Sequence, residues 1–163
     1  MFSESKMRDY NPNTIREIFS EILEKENTFS RRPIAAVIHT AGGDYVTGWN
    51  GPLSKGLNYP LKKDIYYPSE HAEKRAIYRA AMDGVMIKDG TIFLSEWFPC
   101  EDCAKAIIES GLARLITPNK FYLNRQKSIL VPKLREQIYN FERSEKLLSR
   151  AGIQLVVDKA IRV

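Results

Sequence analysis

Residues 91–117 read TIFLSEWFPCEDCAKAIIESGLARLIT, and their hydrophobic pattern predicts a strand, a helix and a second strand. Residues 91–95 form a short apolar run typical of a buried strand, and residues 100–110 carry apolar side chains at helical spacing. Gly111 is the residue type favoured just after a helix, and residues 115–117 are again apolar. A unit of this kind predicts two parallel strands joined by a crossover helix.

The segments on either side extend this unit to the order α-β-β-α-β-α-β-α-β. Helices are expected at residues 12–27, 69–82, 100–110 and 133–151, and strands at residues 34–38, 45–48, 91–95, 115–117 and 153–157. Strands that alternate with helices favour a sheet covered on both faces. The sequence therefore predicts an α/β fold, a three-layer α/β/α sandwich with a mixed five-stranded sheet.

Length and composition indicate one domain, residues 1–163, because no Pro/Gly/Ser-rich linker divides the chain. No apolar run approaches the roughly 20 residues that a membrane helix needs, so we expect no membrane partner. The polar N-terminus at residues 1–8 lacks the apolar core of a signal peptide, which predicts a cytoplasmic protein. The formal charge is +5, and residues 114–150 carry nine Lys or Arg against three Glu, so the rest of the chain is nearly neutral.

Two strand-to-helix junctions hold the residues with the strongest chemical signal, in an H-x-E…P-C-x-x-C pattern. Cys100 and Cys103 face the same side of a helix start, near the positive end of the helix dipole, which favours the thiolate form. With His71 they offer one imidazole and two thiolates, a zinc ligand set that leaves the fourth tetrahedral position open for water. Glu73 is a carboxylate that can take the proton of such a water. We predict a Zn²⁺ site with Glu73 as catalytic residue.

Other interpretations of these residues are a disulfide or redox pair for the two cysteines and an incidental surface histidine for His71. The upstream H-x-E, the proline before Cys100 and the two helix starts make them less compatible with the pattern. The other histidine, His39, lies in an apolar strand without ligand-like neighbours and is expected to be structural.

The same residues resemble the cytidine/deoxycytidylate deaminase superfamily, most closely its dCMP deaminase branch, since the zinc motif is the signature of zinc-dependent nucleobase deaminases. Residues 48–51, Gly-Trp-Asn-Gly, are similar to the family's G-Y-N-G loop, and residues 98–105 to its F-P-C-x-x-C-A-K. Residues 147–157 are like its closing helix and strand. The resemblance implies a hydrolase that deaminates a pyrimidine nucleotide, dCMP to dUMP with release of ammonia, and a homo-oligomer.

The resemblance also implies roles for residues around the substrate. Asn50 would hydrogen-bond the nucleotide, at its sugar. The backbone N–H of Ala72 would hold the pyrimidine carbonyl, and the backbone carbonyl of Phe98 would accept from the reacting amine. Trp97 and Phe98 would supply apolar walls, although core packing accounts equally well for either ring.

Two positions depart from the family pattern. Arg75 stands where dCMP deaminases usually have asparagine, in H-A-E-x-N-A; it could engage a phosphate, restrict the sugar, indicate another substrate, or lie on a solvated helix face. Lys55 lies in a stretch between Gly51 and Gly56 that is one residue longer than in the family, and it could serve the phosphate.

The polar loop at residues 118–132 combines basic side chains with Phe121 and Tyr122. Its cations are Lys120, Arg125 and Lys127. Cations interleaved with aromatic rings can bind a mononucleotide phosphate or single-stranded nucleic acid, and a solvated loop or a subunit contact is an alternative. Two other functions thus stay open: a deaminase for another amino-base, whether nucleoside, free base or base in RNA or single-stranded DNA, and a non-catalytic zinc-stabilised module. The latter is disfavoured because structural zinc sites normally have four protein ligands.

Overall fold

The architecture is that of a sheet with helices on both faces. A computed structural model describes residues 3–4, 9–26, 33–53, 69–118 and 141–163. The helices are α1 (Pro12–Lys25), α2 (Ala72–Asp83), α3 (Glu101–Glu109) and α4 (Phe141–Arg150), followed by a 3₁₀ turn (Lys159–Ile161). The strands are β1 (Ser3–Glu4), β2 (Ala35–His39), β3 (Tyr45–Trp49), β4 (Gly51–Pro52), β5 (Ser69–Glu70), β6 (Thr91–Leu94), β7 (Arg114–Thr117) and β8 (Gln154–Val157).

The main sheet has the strand order β1-β8-β7-β6-β2-β3, and β4 pairs with β5 in a separate ladder. β6, β7, β8 and β1 run parallel to one another, whereas β2 is antiparallel to both β3 and β6. The α/β class and the five predicted strands of a mixed sheet are confirmed. Two expectations need correction. The two-residue β1 adds a sixth strand at the edge of the main sheet, and residues 69–70, where the sequence predicts the start of a helix, form β5 instead. Two residues are too few to show a period in the sequence.

Alternation along β2 explains why helices cover both faces of the sheet. Ala35 and Val37 point into one buried cluster with Ile15 and Phe19 of α1. Ala36 and Ile38 point into the other, where the apolar faces of α2, α3 and α4 pack; its members include Ala76, Ala80, Leu94, Ala104, Ile107, Leu115, Leu148 and Leu155. Successive strand residues face opposite sides of the sheet, so one apolar run contributes side chains to both buried clusters.

The helix ends follow their local chemistry. The side chain of Asn11 accepts a hydrogen bond from the Asn13 backbone N–H at 2.9 Å, which caps α1. Gly111 follows α3 with φ of 75°, the left-handed conformation that glycine adopts without strain. The expected helix over residues 133–151 is confirmed at α4, and residues 133–140 lie outside the described residues. Within the described ranges, no helix has the length and apolarity needed to cross a bilayer.

Gly48 allows β3 to lie directly against α2. A Cβ at this position would stand 2.3 Å from the Ala72 carbonyl oxygen and 2.5 Å from the Ala76 backbone nitrogen. Both are backbone atoms of a packed helix, so no side-chain adjustment can relieve the overlap. The first turn of α2 is therefore held against the strand by the absence of a side chain.

Replacing Gly48 with alanine should lower the free energy of unfolding by roughly 1–3 kcal/mol or more, the cost of overpacking a close contact. Urea unfolding followed by circular dichroism measures it. Gly42→Ala is the matched control, because its added Cβ would meet only the Thr40 hydroxyl at 3.7 Å and a side-chain oxygen of Asp44 at 3.9 Å. An unfolding midpoint of Gly48→Ala equal to that of the control would contradict the close approach.

Candidate metal centre and active site

The predicted site residues meet where the N-termini of α2 and α3 face each other. His71 is the residue that caps α2 and Cys100 the residue that caps α3, and both have extended backbone, with ψ of 150° and 171°. Cys103 lies in the first turn of α3 and is fully buried. The loop from β6 delivers Cys100, so a strand end and two helix starts converge at one point.

The three donor atoms are close enough to share one metal ion. His71 Nδ1 lies 3.3 Å from Cys103 Sγ and 3.5 Å from Cys100 Sγ, and all three donors lie within 4.8 Å of one another. Zinc–sulfur and zinc–nitrogen bonds at tetrahedral angles place their donors about 3.5–3.8 Å apart. The spacing and the donor types fit Zn²⁺, and they leave room for a fourth ligand.

The three donors differ in how readily they lose their protons, and Cys100 is the one that is shifted toward the anionic form. Hydrogen bonds from Cys103 and His71 lower the pKa of Cys100 to about 4, against the opposing effect of burial. The hydrogen bond to Cys100, together with burial, raises the pKa of Cys103, while the hydrogen bond to Cys100 raises the pKa of His71. Both cysteines are free, so the disulfide interpretation finds no support. The site thus holds a preformed thiolate, and a metal ion that binds would displace the remaining protons.

Glu73 is buried beside the three donors, with 6% of its surface exposed. Burial raises the pKa of its carboxyl group, and the charge of His71 and a hydrogen bond from Cys103 act in the opposite direction. Regular helical spacing would point Glu73 about 200° away from His71, but His71 precedes the helix and its extended backbone frees its ring from that relation. Both side chains can therefore face the same space.

Ser144 is a contributor that the sequence reasoning missed. It is fully buried on α4, and its hydroxyl donates to the Pro99 carbonyl oxygen at 2.8 Å, with the Cys100 carbonyl at 3.5 Å. An ion pair between Arg143 and Glu101, 3.3 Å apart, joins the same two helices. The signal available in the sequence was a serine in the apolar stripe that runs through Phe141 and Leu148.

Ser144→Ala should weaken zinc binding by about 10- to 100-fold, the usual effect of losing a group that orients a metal ligand. The substitution leaves the buried Pro99 carbonyl without its serine donor, which destabilises the loop that carries Cys100. Competition with a chromophoric chelator measures the affinity. Ser149→Ala, at an exposed position of the same helix, is the control. Equal zinc affinities for the two variants would show that Ser144 does not contribute to zinc binding.

The residues expected around the substrate are Asn50, Ala72 and Phe98, and each has its own surroundings in the structure. Asn50 follows β3, and its side-chain oxygen accepts the Ile34 backbone N–H at 2.8 Å. Ala72 occupies the first position of α2, between His71 and Glu73. Phe98 is buried, with 3% of its surface exposed.

Trp97, next to the site, and His39, at the opposite end of the sheet, both have structural contacts. The Trp97 ring packs edge-on against Phe141, with centroids 6.3 Å apart, which supports the packing interpretation of this residue. His39 stacks on Tyr45 with centroids 4.7 Å apart, as expected of a structural histidine. Lys55 and the basic loop at residues 119–132 lie outside the described residues.

Arg75 does not lie on a solvated helix face, and that alternative is wrong. Only 7% of its surface is exposed, because its guanidinium donates to the backbone carbonyls of Gly51 and Pro52. The guanidinium carbon also lies 4.8 Å from the centroid of the Trp49 ring. The two carbonyl acceptors come from another part of the chain, which the sequence pattern alone does not reveal.

Comparison with protein families adds an independent finding to this geometry. Residues 12–118 match the model of the cytidine and deoxycytidylate deaminase zinc-binding region. The chain belongs to the cytidine and deoxycytidylate deaminase family. The matched region contains all three metal donors and Glu73, so the family's zinc-binding region coincides with the cluster that the structure brings together.

Individual members of the family give matches of different extent. The deoxycytidylate deaminase of enterobacteria phage T2 is 46% identical over 46 residues, which are 28% of this chain and 24% of that protein. The matching segment thus spans about a quarter of that relative's length. The phage T4 deoxycytidylate deaminase matches equally, 46% identical over 46 residues, 28% of this chain and 23% of that protein.

Solved structures support the fold over nearly the whole chain. A dCMP deaminase from cyanophage S-TIM5, crystallised with dCMP and dUMP, has a TM-score of 0.66 at 20% identity, covering 91% of this chain and 97% of that one. The diaminohydroxyphosphoribosylaminopyrimidine deaminase/5-amino-6-(5-phosphoribosylamino)uracil reductase of Thermotoga maritima gives 0.56 at 19% identity, covering 93% and 38%. The fold is therefore that of the cytidine deaminase family.

Proposed function

We propose that this chain catalyses the zinc-dependent hydrolytic deamination of a pyrimidine nucleotide, with dCMP converted to dUMP. The observation that carries the proposal is the cluster of His71, Cys100 and Cys103 donors with the Glu73 carboxyl buried beside it. Three ligands with an open fourth position are typical of catalytic zinc sites, and a buried carboxyl supplies the proton carrier that hydrolysis needs.

The chemistry divides between the cofactor and the chain's own residues. When bound, Zn²⁺ supplies Lewis acidity that lowers the pKa of a water molecule toward neutrality. Glu73 accepts a proton from the attacking water and returns protons to the ring nitrogen and then to the leaving amine. Oxygen forms its bond to the carbon that carries the exocyclic amine, the carbon–nitrogen bond breaks, and ammonia leaves as the ring gains a carbonyl. Burial raises the pKa of Glu73, which suits a group that both takes and gives a proton.

The substrate contacts are proposed on the residues that the family motif matches. The Ala72 N–H holds the pyrimidine carbonyl, and the Phe98 carbonyl accepts from the amine. Asn50 binds the sugar, with its side-chain oxygen already directed by Ile34. Lys55 serves the phosphate, and Trp97 adds an apolar wall.

The preference for dCMP rests on two observations taken together. A segment of 46 residues is 46% identical to the phage T2 deoxycytidylate deaminase. The chain also retains the Gly48 to Gly51 loop with Asn50 at its centre. We further propose a single domain, a cytoplasmic location and a homo-oligomer, in which the 118–132 loop contacts phosphate or a neighbouring subunit.

The test is a substrate panel with zinc-loaded protein. Ammonia release and the ultraviolet shift of the pyrimidine ring should show turnover with dCMP at a higher kcat/KM than with CMP, deoxycytidine, cytidine or cytosine. Turnover of a cytosine-containing RNA or DNA oligomer in preference to dCMP would favour the base-in-polynucleotide alternative. Zinc-loaded protein that acts on none of these compounds would sink the proposal, and chelated protein serves as the blank.

A further inference from the structure

We propose that Arg75 is a positioning residue that fixes residues 49–52, the segment that carries Asn50, against α2, rather than a ligand of the substrate phosphate. The inference rests on the proposed function only where it concerns substrate. Its structural part, that one arginine sets the conformation of this segment, can be tested without turnover.

The Arg75 guanidinium binds two consecutive backbone carbonyls. Arg75 Nη2 lies 2.8 Å from the Gly51 carbonyl oxygen and also donates to the Pro52 carbonyl. Two consecutive carbonyls rarely point the same way in an extended strand, so a shared donor imposes a particular backbone conformation. Both bonds come from Nη2, whose two N–H groups have directions fixed by the planar guanidinium, whereas the N–H groups of a lysine ammonium rotate freely.

The Trp49 ring lies beside two arginines of α2. The Arg75 guanidinium lies 4.8 Å from the Trp49 ring centroid, and Arg79, one turn further along α2, lies 5.1 Å from it. Arg79 donates to the Thr47 carbonyl and hydroxyl at 3.1 and 3.0 Å. The two arginines therefore have separate tasks: Arg79 holds β3, and Arg75 holds the segment just beyond it.

The segment that Arg75 binds is connected to the metal ligand His71 through β5. β4, whose carbonyls Arg75 binds, pairs with β5 through Gly51 opposite Glu70 and Pro52 opposite Ser69. The Glu70 side chain accepts the His71 backbone N–H at 2.9 Å. A single side chain thus supports both the segment that carries Asn50 and the strand that leads into His71.

Burial argues against direct phosphate binding by the same group. Arg75 is only 7% exposed, and its Nη2 is already engaged by two backbone carbonyls. A phosphate that bound Nη2 would have to displace backbone carbonyls that are fixed in the fold. Positioning and phosphate binding predict different behaviour toward substrates that differ only in the phosphate.

The kinetic experiment compares dCMP with deoxycytidine for wild type, Arg75→Ala and Arg75→Lys. A positioning role predicts that kcat/KM of Arg75→Ala falls about 10- to 100-fold, as for loss of hydrogen bonds to a charged group, by the same factor for both substrates and mainly through KM. Zinc content stays at the wild-type level. Arg75→Lys keeps the charge but recovers little. A loss confined to dCMP, with recovery in Arg75→Lys, would overturn the proposal in favour of a phosphate ligand.

The structural experiment is hydrogen–deuterium exchange on the zinc-loaded protein. The amides of the peptide covering residues 49–53 should exchange about 10-fold faster or more in Arg75→Ala, because held backbone opens less often than free backbone. Residues 114–117 in β7 are the internal reference. The matched control is Arg79→Ala, which loses the Thr47 contacts and should leave exchange at residues 51–53 unchanged. Unchanged exchange in Arg75→Ala would refute the positioning role even if the protein had no deaminase activity, and faster exchange would support it in that case too.

Discussion

Replacing Glu73 by glutamine should lower the rate of dCMP deamination by about 10²- to 10⁴-fold, the contribution typical of a positioned general acid–base group. Glutamine has nearly the same shape but cannot accept a proton from water at neutral pH. The same change should leave zinc bound at the wild-type ratio, since Glu73 is not one of the three donors that cluster at the centre. Single-turnover rates and metal analysis of the same preparation measure the two effects.

The stability of the zinc-free Glu73→Gln variant should equal or exceed that of zinc-free wild type at pH 7. Burial raises the pKa of Glu73, so the folded state binds its proton more tightly than the unfolded state does. The ionised carboxylate therefore costs stability in full above the folded pKa, and this cost shrinks as the pH falls below the folded pKa and is gone below the unfolded pKa. A neutral amide avoids the cost. Loss of activity without loss of stability separates a chemical role from a structural one.

Asp83→Asn is the matched control for this experiment. Asp83 is the other acidic residue of α2 and is exposed at the far end of the helix. Its amide variant should retain wild-type turnover. If Glu73→Gln keeps more than about a tenth of the wild-type rate with zinc bound, another group carries the proton.

The sequence predicts the metal centre well because its geometry is local. Cys100 and Cys103 are three positions apart at a helix start, so a common orientation follows from the helix itself. His71 and Glu73 lie at the start of the helix that precedes the next strand, and strand-to-helix ends on one sheet edge meet in this kind of fold. The strands can also be predicted from the sequence, since a short apolar run such as residues 34–38 that is flanked by helices is more typical of a strand than of another helix.

The residues that support the metal centre could not be predicted from the sequence, because their roles depend on tertiary contacts. Ser144 is far along the chain from Pro99, and nothing in an amphipathic helix pattern says which carbonyl a buried serine meets. The sequence pattern is compatible with Arg75 as a surface cation or a pocket cation, and it gives no sign of the carbonyl partners at Gly51 and Pro52. The need for glycine at position 48 likewise comes from the approach of another element. Periodicity reports which face is buried, and it does not report the partner.

Replacing Cys103 with alanine should abolish the response of the protein to zinc. Adding zinc at 100 to 1,000 times its dissociation constant should stabilise wild type by about 2.7–4.1 kcal/mol, because the ion binds only the folded site. For a chain of this size that corresponds to a rise in Tm of about 5–15 °C. Cys103→Ala leaves one imidazole and one thiolate, so the variant should show no such rise, should lose zinc during purification, and should not deaminate dCMP.

The zinc-dependent change in Tm is the informative quantity, rather than Tm itself. Cys103 is fully buried, so its truncation also removes packing in α3, and that loss lowers the stability of the zinc-free protein. Asp102→Asn controls for changes at the helix start. Asp102 is next to Cys103, its side chain is 78% exposed, and it is not one of the three metal donors. This control should keep the full zinc response. If Cys103→Ala still binds zinc stoichiometrically and still gains stability from it, the ion is held by other residues, and the assignment of the open position for water fails with it.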